Sequence, residues 1–121
     1  MISDSSDLVC HLRPVPDPGT AHLHVVGDLD YDTADDLLDL AVRQLSVQPA
    51  LRDLHLDCAR LTVCDSSGLS ALLAIRRRTG AAGIRLHLDH RPRILERLLT
   101  VTGTLAHLTA PPAEGDEVTT G

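Results

Sequence analysis

The segment Ile84-Arg-Leu-His-Leu-Asp89 alternates apolar and polar residues without interruption, and Leu8–Arg13, Ala21–Val26 and Leu54–Asp57 share that alternation. A period of two sends successive side chains to opposite faces of a strand, so each segment is predicted to be a strand with one dry and one wet face. Ile84, Leu86 and Leu88 point one way, and Arg85, His87 and Asp89 the other. Strands covered on both faces read instead as continuous apolar runs. The alternation therefore puts the helices mainly on one face of a sheet.

Between the later strands the period changes to that of helices. Thr33 is placed to cap a first helix, with Asp36 complementing the dipole in its first turn. Leu37, Leu38, Ala41, Val42 and Leu45 form its apolar stripe, and Pro49 marks its end. A second helix opens near Ser66, turns Leu69, Leu72 and Leu73 inward, and closes on Arg76-Arg-Arg78 and Gly80. A third begins at Pro92, with Leu95, Leu98 and Leu99 inward. Thr104–Leu108 is expected to add a final short strand. The first two strands are joined by Pro14-Val-Pro-Asp-Pro-Gly19, a loop suited to an antiparallel hairpin. The expected fold is α/β: a mixed four- or five-stranded sheet opening with an antiparallel hairpin, in a two-layer sandwich. One domain is expected over residues 8–108, with a flexible N-terminus at 1–7 and a flexible acidic tail at 109–121.

Composition removes several functions. Of 121 residues one is aromatic, Tyr31, so the core must be aliphatic, built on 22 Leu with Val, Ile and Ala. All 11 cations are Arg, and without Lys there is no Schiff-base chemistry, Ser–Lys dyad or phosphate-loop lysine. One aromatic and a net charge of −6 provide neither a base-stacking platform nor a basic footprint for nucleic acid. No apolar run approaches the ~20 residues of a membrane span, and the first seven residues are acidic rather than signal-like. Cys10, Cys58 and Cys64 form an odd set with no close pair. A cytoplasmic protein with reduced thiols is expected.

Chemistry concentrates in Leu61-Thr-Val-Cys-Asp65-Ser66-Ser67-Gly68-Leu69-Ser70, where a connection delivers the chain to the start of the second helix. Helix N-termini expose unpaired N–H groups and partial positive charge, so a phosphate placed there gains hydrogen bonds and a favourable dipole term. Gly68 removes a side chain that would block close approach. A serine at this corner is placed to receive a phosphoryl group or to contact a partner. The same residues also read as an ordinary helix start, capped by Asp65 or Ser66.

Asp65-Ser66-Ser67-Gly68-Leu69 resembles the phosphorylation motif of the anti-sigma factor antagonists of the STAS domain family. Gly27-Asp28-Leu29-Asp30 with Thr33-Ala34 resembles the family's segment ahead of its first helix. Pro92-Arg-Ile-Leu-Glu-Arg-Leu-Leu-Thr-Val-Thr-Gly103 is similar to its third helix and stop. The three stand in the family's order. Cys64, where the family often has a larger apolar residue, the long Pro-rich hairpin loop and the acidic tail depart from the pattern. The resemblance implies a regulatory, non-enzymatic protein with no cofactor. Its unphosphorylated form would bind an anti-sigma factor and free a sigma factor. That partner would also be a serine kinase using ATP and Mg²⁺ to modify Ser66 and release the complex, and a serine phosphatase would restore it. The partner-binding residues implied are Asp28, Asp30, Thr33, Asp65, Ser67, Gly68 and Leu69. The alternative is a ligand-sensing or scaffold domain of the same family without a kinase partner. A wet sheet face without a large apolar patch implies a monomer.

Other signals are weaker. Asp28-Leu-Asp-Tyr-Asp-Thr lacks the Gly and Glu of an EF-hand at its sixth and twelfth positions, which are Thr33 and Asp39. Nor does it fit a phosphatase-like Asp-x-Asp-x-Thr, since Thr33 stands one place late. His11, His22, His24, His55 and His87 fall on polar strand positions, where their spacing enforces no tetrahedral zinc site, although adjacent strands are able to set two side by side. No metal site is expected. Ser66 lacks the Gly-x-Ser-x-Gly elbow of a hydrolase. Arg76-Arg-Arg78 reads as complementing the dipole at a helix C-terminus.

Overall fold

A computed structural model describes residues 8–13 and 16–110. Of the flexible ends expected at 1–7 and 109–121, residues 1–7 and 111–121 lie outside these residues, as do Pro14 and Val15 of the hairpin loop, while Thr109 closes a helix. The elements run β1 (Val9–Arg13), β2 (Thr20–Leu29), α1 (Ala34–Val47), β3 (Asp53–Asp57), β4 (Leu61–Cys64), α2 (Ser66–Ala81), β5 (Arg85–Asp89), α3 (Arg93–Val101) and α4 (Leu105–Thr109).

The sheet follows the order β1-β2-β3-β5, with β4 also pairing to β2. β1 lies antiparallel to β2, as the hairpin loop predicts, and the remaining pairings are parallel. Ten residues long, β2 serves two partners. Thr20–His24 pair with β3, and Gly27–Leu29 pair with β4 after a register shift at Gly27 and Asp28. The shift falls where Gly27 takes φ 108°, a conformation that favours glycine. β3 and β4 thus lie end to end along one side of β2.

Burial follows the alternation. Ala21, Leu23, Val25, Leu54, Leu56, Ile84, Leu86 and Leu88 face a dry layer completed by Leu37 and Ala41 of α1, Leu72 and Ile75 of α2, and Leu95 and Leu99 of α3. The histidines and aspartates between them stay partly exposed on the opposite face. The sandwich therefore has two layers, with the expected helix-free face.

Two segments differ from the sequence reading. Leu61-Thr-Val-Cys64, read as a connection, is a strand, because the end of β2 runs past β3 and offers it a pairing edge. The strand expected at Thr104–Leu108 is instead the helix α4. Strand geometry would send Leu105 and Leu108 to opposite faces; one helical turn puts both on the same face. Leu108 is fully buried, and Leu105 packs against the same core. Gly103, at φ 73°, turns the chain between α3 and α4.

The Arg76-Arg-Arg78 cluster also divides. Arg78 stands in the last turn of α2, as the dipole reading has it, and that turn runs past Gly80 to Ala81. Arg76 is buried, reaches over Gly80, and donates from Nε to the His107 carbonyl at 3.2 Å. It ties α4 to α2.

Candidate functional site

The end of β2, the loop after it and the start of α2 meet at one corner of the sheet. Asp65 is the N-cap of α2: its Oδ1 accepts from the Gly68 N–H at 3.0 Å, and its extended backbone delivers the chain into the helix. The cap therefore belongs to Asp65. Ser66 is the first helical residue, exposed, with a hydroxyl that the capping does not use. Ser67 follows half-buried, and Leu69 packs its half-buried side chain against the core.

The corner is joined to β2 by backbone contacts. The Asp65 N–H donates to the Leu29 carbonyl at 3.2 Å, and Gly68 lies directly against that carbonyl. A Cβ on Gly68 would sit 2.6 Å from the Leu29 oxygen and 3.0 Å from Cys64 Sγ. The bare backbone that the sequence reading left open for an incoming group is filled by the protein itself. Gly68 brings α2 onto β2 rather than a ligand onto α2.

The acidic loop is held just as firmly. Thr33 stands at the N-cap of α1, yet its hydroxyl turns away from the helix. It donates to the Asp28 carbonyl at 2.8 Å and accepts the Asp30 N–H at 2.9 Å, which leaves the buried Thr33 as the pin of the loop rather than a side-chain cap. The Asp30 carboxylate accepts the Asp32 N–H at 3.0 Å. Asp28 reaches across to β4, where Oδ1 accepts the Thr62 hydroxyl at 2.7 Å. The loop of Asp28, Asp30 and Thr33 and the Asp65–Leu69 corner are thus neighbours. Asp65 and Ser66 face solvent; Thr33 and Gly68 are buried and shape the site from within.

A groove of about 620 Å³ runs from this corner between α1 and α2, lined by Tyr31, Asp32, Asp35, Leu38, Ser67 and Ser70, with Arg77 farther along. Tyr31 is 81% exposed at the groove. The sequence reading named none of Tyr31, Asp32, Asp35 and Arg77 as partner-binding residues and gave Arg77 only a dipole role. A lone aromatic next to an acidic loop was the available signal, but the groove exists only once two helices are packed.

The opposite face of the sheet carries the histidines. His22, His55 and His87 share one register across β2, β3 and β5 and stack at 4.3 and 4.1 Å between centroids; His11 and His24 stack at 5.3 Å. His55 pairs with Asp89 at 2.8 Å, and His87 with Asp53 at 2.9 Å. Burial lowers the His22 pKa, the neighbouring His55 adds to this, and Asp89 opposes it. The cysteines are all free. Burial pushes Cys10 and Cys64 up to about 11 and Cys58 up to about 12, which keeps the thiols protonated and unreactive.

Comparison with known proteins agrees with this architecture. The family model described as Mlab, STAS domain, matches residues 15–109. The chain belongs to the STAS domain family. Among solved structures, it is similar to the anti-sigma factor antagonist SpoIIAA in its unphosphorylated form, at a TM-score of 0.70 and 18% identity, covering 91% of this chain and 93% of that one. The Bacillus cell fate determinant SpoIIAA in the phosphorylated form matches at 0.65 and 19%, covering 91% and 96%. An anti-sigma factor antagonist from Mycobacterium paratuberculosis matches at 0.66 and 21%, covering 98% and 97%. At these identities the likeness establishes the fold. No curated protein matches the sequence. Among the described residues, no helix of this STAS domain is long and apolar enough to cross a membrane.

Proposed function

We propose that this STAS domain is an anti-sigma factor antagonist whose binding is switched off by phosphorylation of Ser66. The observation that carries the reading is the division of labour at the start of α2. Asp65 supplies the cap, so the exposed Ser66 hydroxyl can be modified without unmaking the helix. The partner is an anti-sigma factor with serine kinase activity, and a serine phosphatase reverses the modification. The domain itself is the non-catalytic member, since the ATP chemistry resides in the kinase.

The physics of the switch is local. A phosphoserine adds about −1.5 to −2 charges at pH 7. At Ser66 the helix N-terminus accommodates that charge, which favours retention of the fold. Asp65 is adjacent, and Asp28, Asp30 and Asp32 stand in the loop across the corner, so a docked partner would meet a sharply more negative surface. Tyr31 and the groove behind Ser67 offer that partner an aromatic anchor and an acidic wall. The similar protein SpoIIAA has been solved in both phosphorylated and unphosphorylated forms, and this chain matches each over nine-tenths of its length.

The test begins with the cognate kinase, ATP and Mg²⁺, followed by intact mass and fragment mapping. One phosphate on Ser66 is expected. Ser66→Ala should stay bound to the partner and Ser66→Asp should bind more weakly. Equal affinity of the two variants would overturn the switch. An unmodified Ser66 would favour a ligand-sensing or scaffold domain without a kinase.

A further inference from the structure

The helix-free face of the sheet carries ordered chemistry that the proposed partner site does not use. Three rows of polar side chains cross the strands. In the middle row, Arg13, His22, His55 and His87 are register partners on β1, β2, β3 and β5; in the next stand His11, His24, Asp57 and Asp89. Each of these positions is fixed by backbone pairing in the sheet, not by a loop.

We propose that His22, His55 and Asp89 form a binding site for a late first-row divalent cation of the Zn²⁺ class. Two imidazole nitrogens and one carboxylate oxygen, one from each of three adjacent parallel strands, lie within 4.8 Å of one another. Among the described residues no other group of three His, Cys, Asp or Glu side chains converges in this way. An ion with bonds of about 2.1 Å holds tetrahedral donors about 3.4 Å apart, so small side-chain rotations suffice to close the set. The rings of His22 and His55 stack in parallel with centroids 4.3 Å apart, so binding rotates them toward a common point. The ion displaces to water the proton between His55 Nδ1 and Asp89 Oδ2, which lie 2.8 Å apart.

The donor set selects the metal class. Neutral imidazole with one carboxylate suits Zn²⁺, Ni²⁺ and Cu²⁺; Ca²⁺ and Mg²⁺ ask for oxygen. The cysteines do not compete: Cys58 is buried on the other face of the sheet, and Cys10 and Cys64 pack against the core. Half-burial of all three donors limits their motion while leaving the remaining ligand positions to water. A bound ion would clamp β2, β3 and β5 together and add positive charge to a chain of net charge −6.

The test uses the full chain with no affinity tag, metal-stripped and reduced, titrated with Zn²⁺ alone by calorimetry and followed by thermal melting. One saturable equivalent is expected, with a rise in Tm as zinc is added. His22→Asn and Asp89→Asn should each weaken binding by about tenfold or more. His107→Asn, on α4, should leave it unchanged. Circular dichroism confirms that each variant is folded; if Asp89→Asn is not, His22→Asn decides. Absence of saturable binding, or parental affinity in folded His22→Asn, would overturn the site. A Ser66→Ala protein should bind zinc like the parent, so failure here leaves the phosphorylation reading standing.

Discussion

Gly68 is the residue whose replacement should cost most for the least added volume. Its Cα faces the Leu29 carbonyl and Leu29 Cγ, and a methyl group would meet them at 2.6 and 2.8 Å. Neither neighbour has room to yield, since Leu29 is buried and its backbone is paired to β4. Gly68→Ala is expected to destabilise the fold by about 1–3 kcal/mol, read from chemical denaturation. Asp65→Ala, which removes the cap, should cost about 1 kcal/mol. Ser66→Ala should stay within about 0.5 kcal/mol of the parent, since it removes an exposed hydroxyl outside the capping. This ordering separates the two readings the sequence left open, a serine that caps and a serine that is presented. The motif itself was legible as letters. The reason for its glycine was not, because the obstructing carbonyl comes from a strand about 40 residues earlier in the chain.

The elements whose period was clean came out where the alternation put them. β1, β2, β3, β5 and the three longer helices each present enough residues for the period to show. β4 and α4 escaped because neither Leu61-Thr-Val-Cys64 nor Leu105-Ala-His-Leu-Thr109 shows a clean period. For α4 the decision rests on Leu108, fully buried against the core, and on the Arg76 bond to the His107 carbonyl. Leu108→Ala is expected to cost about 2–5 kcal/mol by denaturation, with early loss of amide protection in α4. An unchanged stability would mean that the segment contributes little to the core.

Across the whole molecule, two carboxylates with lowered pKa contribute to a loss of stability in acid. The Gly19 N–H and then the Thr20 hydroxyl hold the Asp17 carboxyl below its usual range, with Arg52 assisting weakly. Asp57 is pushed up by partial burial, but the Ala59 N–H and His90 outweigh this and leave it lowered. A carboxyl with a depressed pKa in the fold binds its proton more readily when unfolded. It therefore contributes stability above the unfolded value of about 3.9 and loses it as pH falls through the folded value. Denaturation midpoints should fall as the pH drops below about 5, and Asp17→Asn should flatten part of that slope.

The same molecule-wide view divides what the chain determines locally from what packing adds. Period, caps and turn residues act between neighbours, so the four cleanly alternating strands, the main helices, the dry face and the Asp65-Ser66-Ser67-Gly68 motif are readable from the letters. Strand order, register and the seating of α2 on β2 are relations between distant segments, set by which apolar faces can be buried together. They decide that Gly68 is a packing contact and that Thr33 pins a loop. They also decide that histidines scattered from position 22 to position 87 become one row across three strands.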